Sequence, residues 1–324
     1  MRKAGVLDVG CHSALLTVVR GRQRRADGAL QTLLSRKVRL RLHQMLTPDG
    51  RLRERGVRSV QQAVAQALGE DSDQGPQVFA FATSVIRDAP NRDEVIARVA
   101  RTTGTRLRVL PGQEEARLSY VAARQWAGST SEPLLVLDIG GGTVEIAAGT
   151  GVQPEVVHSL PLGARTVTRR WLPGGVISSK RHLKELRQHL RQALSELPRL
   201  PTAPAGGRVL ACSKAFAQLA GLVAAYGKPS GRPPHSGQDL TLPQLRASIA
   251  LLAETGTSRR GELPGISRHR AEQSLAGALV AEAIMDACQA ARVEICPWST
   301  REGLLLERLG ITPSAERSSL SPGR

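Results

Sequence analysis

Two short stretches of the chain carry the same chemistry-bearing residues at the same spacing. One is VLDIGGGTVEIAAG, from Val136 to Gly149; the other is VLDVGCHSALLTVV, from Val6 to Val19. Laid together without a gap, Asp8 matches Asp138, Gly10 matches Gly140 and Ser13 matches Thr143, the mark of an internal duplication. A turn rich in glycine lets backbone N–H groups point inward unobstructed by Cβ atoms, and such a nest binds phosphate oxygens. The candidate phosphate-binding residues are therefore Gly10, Cys11, His12 and Ser13 in the first turn, and Gly140, Gly141, Gly142 and Thr143 in the second. A carboxylate at the entrance would repel phosphate unless a cation or an ordered water lay between them. Asp8 and Asp138 thus suit a Mg²⁺ site or a positioned water. Glu145, beyond the second turn, can join the same cation, whereas the first copy has Leu15 at that place. The metal site is expected in the second hairpin. Neither turn continues into the GKS or GKT of a P-loop, and strand rather than helix pattern follows the glycines, which argues against a dinucleotide-binding loop.

The elements that must hold these turns alternate along the chain. After the first hairpin, KVRLRLHQML alternates as a half-wet strand, RGVRSVQQAVAQAL is helical and QVFAFAT is a buried strand. Asn91 reads as the cap of a helix that Gly104 stops, and QEEARLSYVAARQW opens another. The polar GSTSEP at 128–133 reads as a linker. In the second half, LLVLDI and the glycine turn lead into EVVHSLPLGARTVTRRWL as strand, turn and helix. RVLACS is a strand entering a helix, SRHRAEQSLAGALVAEAIMDACQAA a long helix, RVEICPW a strand and STREGLLLERL a closing helix. KPSGRPPHSGQD is too rich in Pro, Gly and Ser to pack. Interleaved strands and helices make the class α/β, and the repeated device suggests two related domains facing one cleft. The domains are expected at 1–128 and 129–312, with 313–324 a disordered tail.

The 324 residues include 45 Lys and Arg against 28 Asp and Glu, a formal net charge of +17. That surplus fits a polyanionic partner or a very soluble surface. Aromatic residues are only 2%, too few for stacking platforms, so specific nucleic-acid binding is not expected. No apolar run reaches membrane-spanning length, the N-terminus does not read as a signal peptide, and none of the four cysteines forms a CxxC pair. A reduced, cytoplasmic protein without membrane contact is the simplest reading. Lys180, Lys184, Arg187 and Arg191 fall on one face of a helix. That stripe could track a long polyanion, and a solvated helix face is the plainer reading.

Paired Asp-x-Gly hairpins in duplicated domains resemble the actin, sugar-kinase and heat-shock-chaperone ATPase superfamily. More narrowly, the chain resembles the exopolyphosphatase/guanosine pentaphosphate phosphohydrolase family, and within it the short actinobacterial exopolyphosphatases. The stretches that carry this are LDVGCHS, FATSVIRDAPNRDEV, VLPGQEEARLSYVAARQW, LLVLDIGGGTVEIAAG, SLPLGARTVTRRWL, LPGISRHRAEQSLAGALVAEA and EICPWSTREGLLLERL, in family order. The resemblance implies a duplicated two-domain actin-like ATPase fold with an interdomain cleft. It implies hydrolysis of terminal orthophosphate from inorganic polyphosphate, short chains favoured, with Mg²⁺ or another divalent cation. Guanosine pentaphosphate as substrate, and a non-catalytic polyphosphate or alarmone sensor, are the alternatives; a homodimer is a further expectation. By resemblance Glu115 is the general base, Arg87 and Arg270 contact phosphate, Asp138 and Glu145 are metal-associated, and Ser213 sits in a third small-residue loop. There Ala211 and Cys212 replace a Gly-Thr-like pair. The first turn departs most, with Cys11 and His12 where the family has Ser and Asn. A Cys11–His12 nucleophile pair is disfavoured, since neighbours on a strand point to opposite faces.

Overall fold

The computed structural model describes residues 2–21, 30–69, 77–128, 132–226 and 239–311. The Pro/Gly/Ser-rich stretch at 228–239, apart from Asp239 which opens a strand, the core of the GSTSEP linker and the expected tail at 313–324 lie outside the described residues. The chain forms two compact units, Met1–Pro111 with Arg301–Arg324, and Gly112–Thr300.

The first unit runs β1 (Lys3–Val9), β2 (Ser13–Gly21), β3 (Leu30–Arg39), α1 (Glu54–Leu68), β4 (Val78–Ala82), α2 (Ser84–Arg87), α3 (Arg92–Thr103) and β5 (Arg108–Val109). Its sheet has the order β3-β2-β1-β4-β5, with β1–β2–β3 antiparallel and β4 and β5 parallel to β1. The alternation of β1 and β2 sends Leu7, Val9, Ala14, Leu16 and Val18 into one core with Val57, Val60 and Val64 of α1 and Val95 and Val99 of α3. Gly104 closes α3 in the left-handed conformation at φ 68°. Asn91 precedes α3 but does not cap it with its side chain. Its buried amide instead accepts from Leu52 N–H and donates to Leu52 C=O, both at 2.9 Å. A tertiary clip has replaced the expected cap.

The second unit runs α4 (Gly112–Ala127), β6 (Leu134–Ile139), β7 (Val144–Gly149), β8 (Val156–Leu160), α5 (Ala164–Trp171), α6 (Lys180–Ser195), β9 (Arg208–Cys212), α7 (Ser213–Tyr226), β10 (Asp239–Thr241), α8 (Leu242–Glu254), α9 (Thr257–Arg260), α10 (Ala271–Ala287) and β11 (Arg292–Ile295), ahead of α11 (Thr300–Leu309). The sheet order is β10-β11-β9-β6-β7-β8, with β6, β9 and β11 parallel and the edges antiparallel. β6 is buried on both faces. Leu134 and Val136 pack under Ala116, Tyr120 and Ala123 of α4, while Leu135, Leu137 and Ile139 pack against the helices of the opposite layer. In that layer α10 is buried almost all round, from Ala271 to Met285. Because α4 packs on β6, β7 and β8, the units part after Pro111, not at the polar stretch near residue 128. α11 returns to the first unit, where Leu309 meets Gly21 and Arg308 lies 4.6 Å over the Phe79 ring.

Candidate active site

Strand periodicity decides where the second hairpin's carboxylates go. Asp138 falls two residues after Val136 and so shares the face that α4 covers. Asp138 stands opposite Glu145 on β7, and Glu145 opposite Ser159 on β8. Residues directly opposite across antiparallel strands share a face. α4 reaches this row closely because its first residue is Gly112, where a Cβ would overlap the Ser159 side chain. Four residues apart, Glu115 and Ser119 lie on one side of α4. Ser119 Oγ donates to Asp138 Oδ2 at 3.1 Å, and Ser299 Oγ donates to the same oxygen at 2.6 Å. Ser159 Oγ donates to Glu145 Oε1 at 3.0 Å. The far end of α4 is held by Tyr120 Oη on Gly151 C=O and Arg124 on Gly149 C=O, each at 2.9 Å.

The result is three buried acids in one unit, Glu115, Asp138 and Glu145, each less than a tenth exposed. Glu145 is pushed well above the usual carboxylate range, first by burial and then by the charges of Glu115 and Asp138; hydrogen bonds from Thr143 and Ser159 pull the other way. The donors of this cluster are carboxylates and hydroxyls, a hard oxygen set that suits Mg²⁺, Mn²⁺ or Ca²⁺.

The glycine turn adjoins this row. Gly140 N–H closes it on Thr143 C=O at 2.9 Å. The loop carbonyls are taken by the start of α5: Gly163 N–H donates to Gly142, Ala164 to Gly140, and Arg165 and Thr166 to Gly141, while Thr166 Oγ1 donates to Gly142. Gly163 permits this approach, since a Cβ there would overlap the backbone of Gly141, Gly142 and Thr143. With its oxygens turned into the helix, the loop keeps its amide side for a ligand. Arg165 lies against it, Nη1 2.9 Å from where a Gly141 Cβ would be, and that nitrogen is buried without a hydrogen-bond partner. The sequence reading passed over Arg165. A cation in the first turn of a helix opposes the helix dipole, and that misplacement was the available signal.

β9 runs parallel beside β6 with Cys212 opposite Asp138, so Ser213 follows at the same edge of the sheet as the glycine turn. Ser213 has φ 87°, strained for a residue with a Cβ, and its Oγ is buried without a partner. Ala211 and Cys212 are fully buried. Arg270 ends a short 3-10 helix ahead of α10 and lines a small cavity with Ala164, Ala215 and Gln273, at the starts of α5, α7 and α10. Along α6, Lys180, Lys184 and Arg191 are exposed, but Arg187 is held by Glu282 at 2.9 Å, so the four-cation stripe is one member short.

The first hairpin repeats the second. Gly10 N–H closes on Ser13 C=O at 2.9 Å, and Asp8 stands opposite Leu15 where Asp138 stands opposite Glu145. Asp8 Oδ1 is buried without a hydrogen-bond partner. Burial raises its pKa from 3.8 to about 6, Arg301 opposes the rise and Glu302 adds to it. Arg87 donates to Asp88 and to Leu110 C=O. It lines a cleft of about 1280 Å³ in this unit with Arg92, Arg106, Arg108 and Arg308, Asp93 being the acidic residue of the lining. Cys11 and His12 lie in the turn and not in a strand. The alternation argument against their pairing therefore does not apply, and their ligating atoms lie within 4.8 Å of each other.

Residues 22–311 match the model of the Ppx/GppA phosphatase family. This chain belongs to that family. Among its Ppx/GppA relatives is the Exopolyphosphatase 1 of Mycobacterium tuberculosis, 39% identical over 310 residues, covering 95% of this chain and 88% of the relative. The Exopolyphosphatase 1 of Mycobacterium leprae is 39% identical over 311 residues, covering 95% and 89%. The fold is shared with the Aquifex aeolicus Ppx/GppA enzyme, at TM-score 0.76 and 24% identity over 94% of this chain and 99% of that one. It is shared also with an exopolyphosphatase from Cytophaga hutchinsonii, at TM-score 0.80 and 20% identity over 96% and 99%. The architecture, two α/β units each built on a mixed sheet with helices, is the fold of these Ppx/GppA structures. Among the described residues no helix is long and apolar enough to cross a membrane.

Proposed function

We propose that this protein is an exopolyphosphatase that removes the terminal orthophosphate of inorganic polyphosphate. The observation that carries the reading is the convergence of Glu115, Asp138 and Glu145 beside a glycine turn whose carbonyls are all committed to α5. The 39% identity to mycobacterial exopolyphosphatases supports the choice of substrate. The amides of Gly141, Gly142 and Thr143, with the Arg165 guanidinium, hold oxygens of the terminal phosphoryl group. Asp138 and Glu145 would hold a divalent cation, which would neutralise phosphate oxygens. Ser119, Ser299 and Ser159 fix those two carboxylates. Glu115 accepts the proton of the attacking water as its oxygen bonds to the terminal phosphorus. The bond from that phosphorus to the bridging oxygen breaks, and the shortened chain leaves with the electron pair. None of the four cysteines is in a disulfide, which fits a reducing, cytoplasmic setting.

The test is Glu115→Gln. Glutamine keeps the shape and can still contact water, but cannot take its proton. Phosphate release from polyphosphate should fall by ~10²–10⁴ with binding nearly unchanged. Equal rates for variant and wild type would remove Glu115 from the base's role. Wild type that binds polyphosphate and releases no phosphate with Mg²⁺, Mn²⁺ or Ca²⁺ is a sensor. Faster release from guanosine pentaphosphate than from polyphosphate would reassign the substrate.

A further inference from the structure

The first turn holds residues of a different chemical character from the oxygen cluster of the second unit. Cys11 and His12 occupy the turn, and His43 comes from a short 3-10 helix, Leu42–Met45, that follows β3. Backbone bonds bring this helix to the turn: Leu40 N–H donates to His12 C=O at 2.8 Å, and Leu42 N–H to Cys11 C=O at 3.0 Å. Leu42 is fully buried and anchors the segment. His43 Nδ1 therefore lies 3.5 Å from Cys11 Sγ, and the His12 and His43 rings stand with centroids 5.1 Å apart. One thiol and two imidazoles have their ligating atoms all within 4.8 Å of one another.

We propose that Cys11, His12 and His43 form a binding site for a soft divalent transition-metal ion of the zinc class. With Zn–S about 2.3 Å and Zn–N about 2.05 Å, a tetrahedral ion sets its sulfur and nitrogen ligands about 3.6 Å apart and two nitrogens about 3.3 Å apart. The Cys11–His43 separation of 3.5 Å already meets the first requirement. His12 reaches the second by side-chain rotation, and its position in a turn allows that movement. Three protein ligands leave a fourth position for water. On binding, the Cys11 thiol gives its proton to solvent and its sulfur lone pair to the metal, with both imidazoles neutral. Thiolate and imidazole suit zinc, cobalt and copper, whereas Mg²⁺ prefers the carboxylates of the second unit. The two hairpins would thus sort two kinds of cation. This follows from the first turn and the short helix that carries His43, and does not depend on the enzymatic reading.

The full chain, reduced and stripped with chelator, is titrated with Co²⁺ in excess Mg²⁺. The expected spectrum has a thiolate-to-cobalt charge-transfer band in the near ultraviolet and intense tetrahedral bands in the visible, all displaced by Zn²⁺. Cys11→Ser should abolish the charge-transfer band. His43→Gln, with folding checked by circular dichroism, should weaken Co²⁺ binding by at least about tenfold. Should Cys11→Ser misfold, the His43→Gln and His12→Gln variants decide alone. A wild type without the charge-transfer band overturns the proposal. So does a band that survives in Cys11→Ser, or unchanged affinity in folded His43→Gln and His12→Gln.

Discussion

Replacing Asp8 with asparagine should stabilise the first unit at alkaline pH and gain little at acid pH. The half-buried Asp8 carboxyl, with its Oδ1 shielded from solvent, is pushed up from 3.8 to about 6, so the folded state binds its proton more tightly than the unfolded state. For a group raised in this way, the stability it contributes is complete below the unfolded pKa and is lost as pH climbs through the folded value. The shift from 3.8 to about 6 corresponds to a penalty of about 3 kcal/mol at pH 8. At pH 4 about 0.5 kcal/mol of it is already present, since unfolded Asp has begun to ionise. The asparagine side chain is neutral throughout, and any cost of its amide is common to both pH values. The difference between variant and wild type should therefore grow by about 2.5 kcal/mol from pH 4 to pH 8. Hydrogen exchange of the β1 and β2 amides, with divalent cations chelated, reads the opening free energy of this hairpin directly. A pH-independent difference would refute the claim that Asp8 is held desolvated. Repeating the measurement with Mg²⁺ asks whether a cation relieves it: wild type should then recover part of the gap at pH 8.

Three further substitutions test how the second unit is built. Gly163→Ala should disrupt the glycine turn, costing about 1–3 kcal/mol in urea unfolding and lowering kcat for phosphate release, because the new methyl meets the backbone of Gly141 to Thr143; an unaffected enzyme would show that the loop can move aside. Ser213→Gly should raise stability by about 1 kcal/mol by relieving the positive φ and raise KM for polyphosphate by removing the hydroxyl; lower stability would show the serine to be unstrained. Arg260→Met should cost about 2–4 kcal/mol in chemical denaturation, since its fully buried guanidinium donates to the carbonyls of Leu252, Thr255 and Gly175; a loss below about 0.5 kcal/mol would mean that water or other donors take over those carbonyls once the guanidinium is gone.

The two hairpins were legible because their signal is local. Strand period two and glycine in a tight turn act over a few residues, so the gapless alignment of Asp8 with Asp138 reappears as matching turn hydrogen bonds and matching register. The pairing of Asp138 with Glu145, and of Asp8 with Leu15, was contained in that alignment. What the sequence hid depends on contacts between distant segments. Asn91 looks like a cap from its neighbours, yet its partner is Leu52, thirty-nine residues away. His43 gives no sign by spacing that it meets Cys11, because the link is the backbone pairing of the segment after β3 with the turn. Ser119 and Ser299 read as ordinary residues of two helical stretches, and only the packing of α4 and the segment after β11 brings them both to Asp138. Arg260 gave no pattern at all; a charged residue in a short helix is read as solvated until its carbonyl partners are seen.

The joint between the glycine turn and α5 has a mechanical consequence. Five hydrogen bonds tie the carbonyls of Gly140, Gly141 and Gly142 to residues 163–166. At ~1 kcal/mol each, freeing the loop from the helix costs on the order of 5 kcal/mol, a population of roughly one molecule in several thousand. The turn is a fixed jaw. A ligand that does not fit cannot be accommodated by bending it; whatever yields must be another part of the molecule, or α5 itself, tilting as a rod against the Trp171–His189 stack that braces its far end.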